Sequence, residues 1–111
     1  MSLSISTDAR DGAVVIHVEG DLDVYRAPRL KEVLDELVAG GGRLILDLSG
    51  VHFIDSTALG VLVGAHQETQ SNDGGFCLVV DDPFLLKIFH ITGFDGVFSI
   101  FSQLDEALSA G

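Results

Sequence analysis

The spacing of apolar residues changes repeatedly along this 111-residue chain, and that change most limits the folds it can adopt. Val14, Ile16 and Val18 recur at every second position, which is typical of a β-strand. Leu30 and Leu34 belong to a stripe that recurs every three or four residues, which indicates one face of a helix. An alternation of these two periods predicts parallel strands joined by helical crossovers.

Along the whole chain, the pattern predicts nine elements in the order ββαβαβαβα. The first two strands form a hairpin around the turn residues 8–12, which adds an antiparallel edge to the sheet. The later strands are expected at 44–48, with Asp47 and Ser49 near the end, at 76–80 and at 97–101. The four helices are expected from Pro28 to the glycines 40–42, from Asp55 or Ser56 to about Gln70, from Asp82-Pro83 to Gly93, and from a capping box of Ser102 and Asp105 through Leu108. We therefore expect one α/β domain over residues 1–111, with a mixed, mostly parallel sheet packed against four helices.

Charge and cysteine content exclude several classes of function. Lys plus Arg number 6 and Asp plus Glu number 17, so the formal net charge is −11. This balance argues against binding to nucleic acid or to an anionic membrane surface, since both need clustered positive charge. Cys77 is the single cysteine, the start of the chain has no signal-peptide pattern, and the apolar stretch at 59–65 is far shorter than the roughly 20 residues of a membrane span. We expect a cytoplasmic protein.

Motifs for catalysis and for metal or cofactor binding are missing from the sequence. None of the glycine-rich dinucleotide or P-loop patterns occurs, nor does the GxSxG pattern of hydrolases. The four histidines do not pair at metal-ligand spacing, and His17, His66 and His90 are expected to be partly buried packing residues. We therefore expect no catalytic residue, no metal site and no cofactor.

Three consecutive polar residues, Asp55, Ser56 and Thr57, stand between an apolar strand and an apolar helix. An N-cap accounts for one of them but not for all three. A hydroxyl at a helix N-terminus is exposed, and a phosphoryl group on it would meet a favourable helix dipole while adding about −1.5 to −2 charges. The sequence thus predicts a surface that modification could switch without disturbing the core. Gly60 and Gly64 follow one turn apart, and they predict a groove where a neighbouring element could approach closely.

Positions 47–62, with the sequence DLSGVHFIDSTALGVL, closely resemble the signature of anti-sigma factor antagonists of the STAS domain family. The resemblance extends to EGDLDVY at 19–25, to Ala27-Pro28 and to LKIFHITGF at 86–94. It implies the STAS fold and a partner-switching role in transcription regulation, without catalysis by the chain itself. In this family the unphosphorylated antagonist binds an anti-sigma factor that is also a serine kinase of the GHKL ATPase type, and the sigma factor is released. The resemblance implies that this kinase phosphorylates Ser56, with Thr57 as the second choice, and that a PP2C-type phosphatase restores the protein.

The resemblance also implies a partner-facing surface, which comprises Asp21, Asp23, Asp55, Ser56, Thr57, Ala58 and Gly60. From composition alone, acidic residues after a strand mark a solvated turn, so Asp21 and Asp23 depend on the resemblance for this role. Members of the family serve sporulation, stress response and development, and no residue here selects among these responses. Two other hypotheses stay open: a receiver-like domain that accepts phosphate on Asp47 with Mg²⁺, and a STAS scaffold in a larger signalling complex that is not phosphorylated.

Overall fold

A computed structural model describes residues 3–110 and shows a five-stranded mixed sheet with helices on both faces. The strands are β1 (Leu3–Arg10), β2 (Ala13–Leu22), β3 (Arg43–Ile54), β4 (Gly75–Val79) and β5 (Ser99–Phe101). The helices are α1 (Ala27–Ala39), α2 (Ser56–Ser71), α3 (Pro83–Ile91) and α4 (Leu104–Ser109), and a 3₁₀ turn covers Phe94–Gly96. The predicted order ββαβαβαβα and the predicted fold class are confirmed.

The strands lie in the sheet in their chain order, with β1 antiparallel to β2 and every other pair parallel. Each crossover moves to the next strand in the same direction, and right-handed crossovers then place their helices on one face of the sheet. Accordingly, α1, α2 and α3 pack their buried residues on the main core, among them Leu34, Leu62 and Phe89. The short α4 covers part of the opposite face, where Ala107 packs in a second cluster with Cys77. Burial raises the pKa of the Cys77 thiol above its ordinary value.

Strand β3 is longer than the sequence indicates. We expected its end near Asp47 and Ser49, but the strand continues to Ile54. Its second half still pairs with β2, after register shifts near Gly50. A Ser-Gly pair that is typical of a turn is therefore part of an irregular strand, because bulges let the ladder continue past a residue that breaks the alternation.

The C-terminal part of the chain also departs from prediction. Strand β5 has three residues rather than five, because the backbone N–H groups of Val97 and Phe98 donate to the carbonyl oxygen of Phe94, at 3.0 Å each, and so belong to the turn before the strand. The predicted capping box of Ser102 and Asp105 is wrong. Gln103 is the N-cap residue of α4, and Ser102 Oγ instead donates to Glu106 Oε1 at 2.8 Å.

The histidines differ from one another in their surroundings. His66 packs its ring 5.4 Å from that of Phe98, measured between ring centroids, as expected for a packing residue. For His90 that expectation is wrong, because its side chain is 81% exposed and its Nδ1 lies 2.8 Å from a carboxylate oxygen of Asp95. At this exposed end of α3 the imidazole has a hydrogen-bond partner rather than a packing site.

Candidate functional site

The start of α2 is held by two hydrogen bonds of Asp55, one to its side chain and one from its backbone N–H. Its side chain accepts a hydrogen bond from the backbone N–H of Ala58 at 3.0 Å, so Asp55 is the N-cap residue of the helix. Its own backbone N–H donates to the carbonyl oxygen of Leu22 at 3.1 Å, which ties the β3–α2 junction to the end of β2. These two bonds hold the backbone at the start of α2 against the end of β2.

Ser56 is the first residue of α2, and both its side chain and that of Thr57 are exposed. Gly60, one turn further along, is exposed as well. Ala58 is 0% exposed and packs in the main core. Its side chain therefore has no access to a partner, and its inclusion in the predicted partner-facing surface is wrong. The apolar face of α2 begins at its third residue, immediately after the two hydroxyl groups.

Asp23 shapes the turn between β2 and α1. One oxygen of its carboxylate accepts hydrogen bonds from the backbone N–H groups of Tyr25 at 3.1 Å and Arg26 at 3.0 Å. The other oxygen accepts from the guanidinium of Arg26. The carboxylate of Asp23 therefore stabilises the turn, in agreement with the interpretation from composition alone. Asp21 lies at the end of β2 in register with Phe53 of β3, so the acidic pair shares one edge of the sheet with α2's first turn.

Exposed apolar side chains surround this edge, and the sequence reasoning missed them. Tyr25 is 86% exposed and Phe84 is 57% exposed, while Val24 and Phe53 are about half exposed. They follow or end β2, β3 and β4, so they gather where the carboxyl ends of the parallel strands meet. Apolar side chains exposed at one edge among acidic residues are typical of a surface that binds another protein. Each lies four to seven residues beyond a predicted strand, in the connection to the next helix or in its first turn, and that placement is the signal that could have found them.

The same edge is braced by a contact between β3 and α3. Nδ1 of His52 lies 2.6 Å from Oδ2 of Asp82, and the other oxygen of Asp82 accepts from the backbone N–H of Phe84 at 2.8 Å. The hydrogen bond with His52, together with the backbone bond, lowers the pKa of Asp82 below its ordinary value. The N-termini of α2 and α3 are thus each capped by an aspartate on one side of the sheet.

Asp47 is in a different environment from the one a phosphate-accepting aspartate would need. It lies within β3 rather than at its end, and its side chain is 13% exposed. Its carboxylate lies 2.9 Å from Nδ1 of His17 and accepts from the backbone N–H of Ser49 at 3.0 Å, while Nε2 of the same ring lies 2.8 Å from Asp8. Within residues 3–110 no group of three histidine, cysteine, aspartate or glutamate side chains is arranged to hold a metal ion. The carboxylate of Asp47 is a structural group that joins the first three strands.

Residues 4–107 match the model of the STAS domain. The chain belongs to the STAS domain family. It is 31% identical to the anti-sigma-B factor antagonist of Bacillus subtilis over 100 residues, which are 90% of this chain and 92% of the relative. It is 35% identical to the anti-sigma-B factor antagonist of Staphylococcus aureus over 94 residues, which are 84% of this chain and 87% of the relative.

The fold of this STAS domain is also that of solved anti-sigma factor antagonists. A crystal structure of such an antagonist from Mycobacterium paratuberculosis superimposes with a TM-score of 0.91 at 32% identity, over 98% of this chain and 93% of that one. No helix within residues 3–110 has the length and hydropathy that crossing a membrane requires.

Proposed function

We propose that this STAS domain is a cytoplasmic anti-sigma factor antagonist that is controlled by phosphorylation of Ser56. The unphosphorylated form binds an anti-sigma factor that is a serine kinase of the GHKL ATPase type, and this binding releases the sigma factor for transcription. The kinase phosphorylates Ser56, the antagonist is released, and a PP2C-type phosphatase restores it. The names of the relatives support the antagonist role, since they come from proteins that align over most of this chain.

The observation that carries this proposal is the position of Ser56. It is the exposed first residue of α2, at the edge where Tyr25, Phe53 and Phe84 are also exposed. A kinase can reach its hydroxyl without unfolding the domain. A partner that covers the apolar side chains must also cover Ser56 or lie beside it, so modification there changes the contact directly.

Electrostatics explains why a phosphate at this point can switch binding without destabilising the fold. A phosphoryl group adds about −1.5 to −2 charges, and the N-terminus of a helix favours negative charge. It would stand next to the carboxylate of Asp55, on a surface that already includes Asp21 and Asp23. A partner whose surface is matched to the unmodified edge then loses shape and charge complementarity together. Thr57 is the second candidate, since it is exposed on the same turn.

The experiment is phosphorylation by each candidate kinase of the source organism, with the site mapped by mass spectrometry. We expect phosphate on Ser56 of the native chain and none on a Ser56→Ala variant. Ser56→Ala is expected to retain the kinase permanently, and Ser56→Asp is expected to bind it poorly. Ser109→Asp is the matched control, because it adds the same charge at the exposed end of α4, on the opposite face of the sheet.

Several results would contradict the proposal. Phosphate on Asp47 alone, with acid lability and Mg²⁺ dependence, would indicate the receiver-like mechanism. No phosphate with any candidate kinase, with equal binding by Ser56→Ala and Ser56→Asp, would indicate a scaffold that is not regulated in this way.

A further inference from the structure

A groove of about 240 Å³ runs between α1 and α2 on the solvent side of the main core. Its lining includes Leu34, Thr57, Gly60, Val61, Gly64 and Glu68. The spacing of the two glycines predicts a groove that a neighbouring element could approach closely, and the structure contains this groove. A Cβ atom built on Gly60 or on Gly64 would meet no atom within 4 Å among the residues that the structure describes.

The fold gives no reason for glycine at these two positions. Neither residue has a left-handed φ, and neither side of the groove comes close enough to exclude a methyl group. Glycine is the least favourable residue in a helix interior after proline, so alanine at Gly60 and Gly64 would make α2 more stable. What the two glycines do provide is an open groove. The absence of two side chains leaves room for a further element of structure to lie against α1 and α2.

The chemistry of the lining indicates what that element is. Leu34 is buried beneath the groove and Val61 is partly buried, so they provide apolar surface. Lys31 Nζ donates to Asp35 Oδ2 at 2.7 Å, and Glu68 also lies close enough to attract the ammonium group. With two carboxylates to one ammonium, the charged part of the groove favours a ligand that is apolar with a basic side chain.

The groove is also continuous with the proposed phosphorylation site. Thr57 lines one end of it and directly follows Ser56, whereas Glu68 lines the other end. At 1.5 Å per residue, these two positions lie about 16 Å apart along α2, which is about three turns of a helix. A partner that covers Ser56 therefore meets the groove without a break.

We propose that the groove receives an amphipathic helix of the anti-sigma factor, with apolar residues against Gly60 and Gly64 and a basic residue near Glu68. This inference rests on the proposed function, and it extends the partner contact from the edge of the sheet along α2. A helix is the form of backbone that recurs in apolar grooves between two helices, and small residues let it approach closely. The binding surface thus has one part that phosphorylation changes and a second part that it leaves intact.

The test measures binding of purified variants to the anti-sigma factor that phosphorylates the chain, by isothermal titration calorimetry, with the melting temperature of each variant as a parallel readout. Gly64→Leu fills the groove and is expected to weaken binding about tenfold or more. Gln67→Leu, which adds the same side chain at an exposed position outside the groove, should bind within about twofold of the native chain. Gly64→Ala is expected to raise the melting temperature while it weakens binding, a combination that damage to the fold would not produce.

A second pair of variants tests the charge. Glu68→Lys should weaken binding more than Glu32→Lys, although both change the net charge equally and both positions are exposed. Equal weakening by these two would overturn the basic contact, and equal binding by Gly64→Leu and Gln67→Leu would overturn the groove as a docking site.

These outcomes separate this inference from the proposed function. If Ser56→Asp releases the anti-sigma factor but Gly64→Leu binds like the native chain, the groove inference alone is wrong. If no anti-sigma factor binds or phosphorylates the native chain, both are wrong. If the native chain self-associates and Gly64→Leu abolishes this without weakening the anti-sigma complex, a second copy occupies the groove and the proposed occupant is wrong.

Discussion

Substitution of the N-cap residue Asp55 is the most direct perturbation of the site, because alanine removes both the hydrogen bond and the charge, whereas asparagine removes only the charge. In Asp55→Ala, the backbone N–H of Ala58 loses the acceptor that now lies at 3.0 Å. Loss of such a cap lowers the free energy of unfolding by about 1 kcal/mol. For a domain of this size, that change lowers the melting temperature by about 4 °C. Since α2 packs its first buried residues immediately after the cap, the loss is expected to appear in global stability.

Asp55→Asn is the matched variant, since asparagine caps helices about as well as aspartate but carries no charge. We expect its stability to fall by a few tenths of a kcal/mol, the part due to the helix dipole. Equilibrium unfolding in urea measures both variants, and equal slopes show that the unfolded states are comparable. If Asp55→Ala is as stable as the native chain, the cap has no role. If Asp55→Asn loses as much as Asp55→Ala, the charge rather than the hydrogen bond stabilises the start of α2.

Three further predictions concern the stability of the fold that supports the site. Phe89→Ala, in the fully buried part of α3, should lower the free energy of unfolding by about 3–5 kcal/mol in the same urea assay. Gly74→Ala should be destabilising by about 1–3 kcal/mol, because its Cβ would lie 2.6 Å from the backbone oxygen of Gly42, and calorimetry should show a lower melting temperature. The pKa of Asp82 is lowered, so the stability that its contact with His52 contributes is present above the ordinary carboxyl value of 3.8 and is lost as the pH falls below that value. Thermal unfolding between pH 7 and pH 3 should therefore show a smaller fall in melting temperature for Asp82→Asn than for the native chain.

The sequence predicts the order of elements well because the signals involved are local. The stripe that includes Leu30 and Leu34 indicates a helix by its own spacing, and Asp82-Pro83 marks a helix start within two residues. The extent of β3 is different in kind. Whether the chain continues as a strand after Gly50 depends on the register with β2, which is a pairing between residues some 30 positions apart. Local patterns do not contain that information.

The candidate site divides in the same way. The N-cap Asp55 and the exposed Ser56 follow from a helix-start pattern, which local sequence reveals. The exposure of Tyr25 and Phe84 depends on how two turns that are distant in sequence come together in the fold. Sequence reasoning missed it because an apolar residue is by default assigned to the core. Ala58 was misplaced for the opposite reason, since it lies inside a motif whose neighbours are exposed but its own position faces the core.

Under the proposed switch, the position of one added phosphate matters more for partner binding than the net charge of −11. Phosphorylation would bring the net charge to about −13, a small change for a chain already strongly acidic. At physiological salt, charges further apart than about 8 Å are largely screened, so a phosphate on Ser56 acts mainly on groups in its own vicinity. Ser109→Asp adds one negative charge on α4, on the opposite face of the sheet, and should leave binding of the anti-sigma factor nearly unchanged. If the control substitution weakened binding as much as Ser56→Asp does, the overall electrostatic field of the domain would control partner binding. Contact at the N-terminus of α2 would then not be the cause.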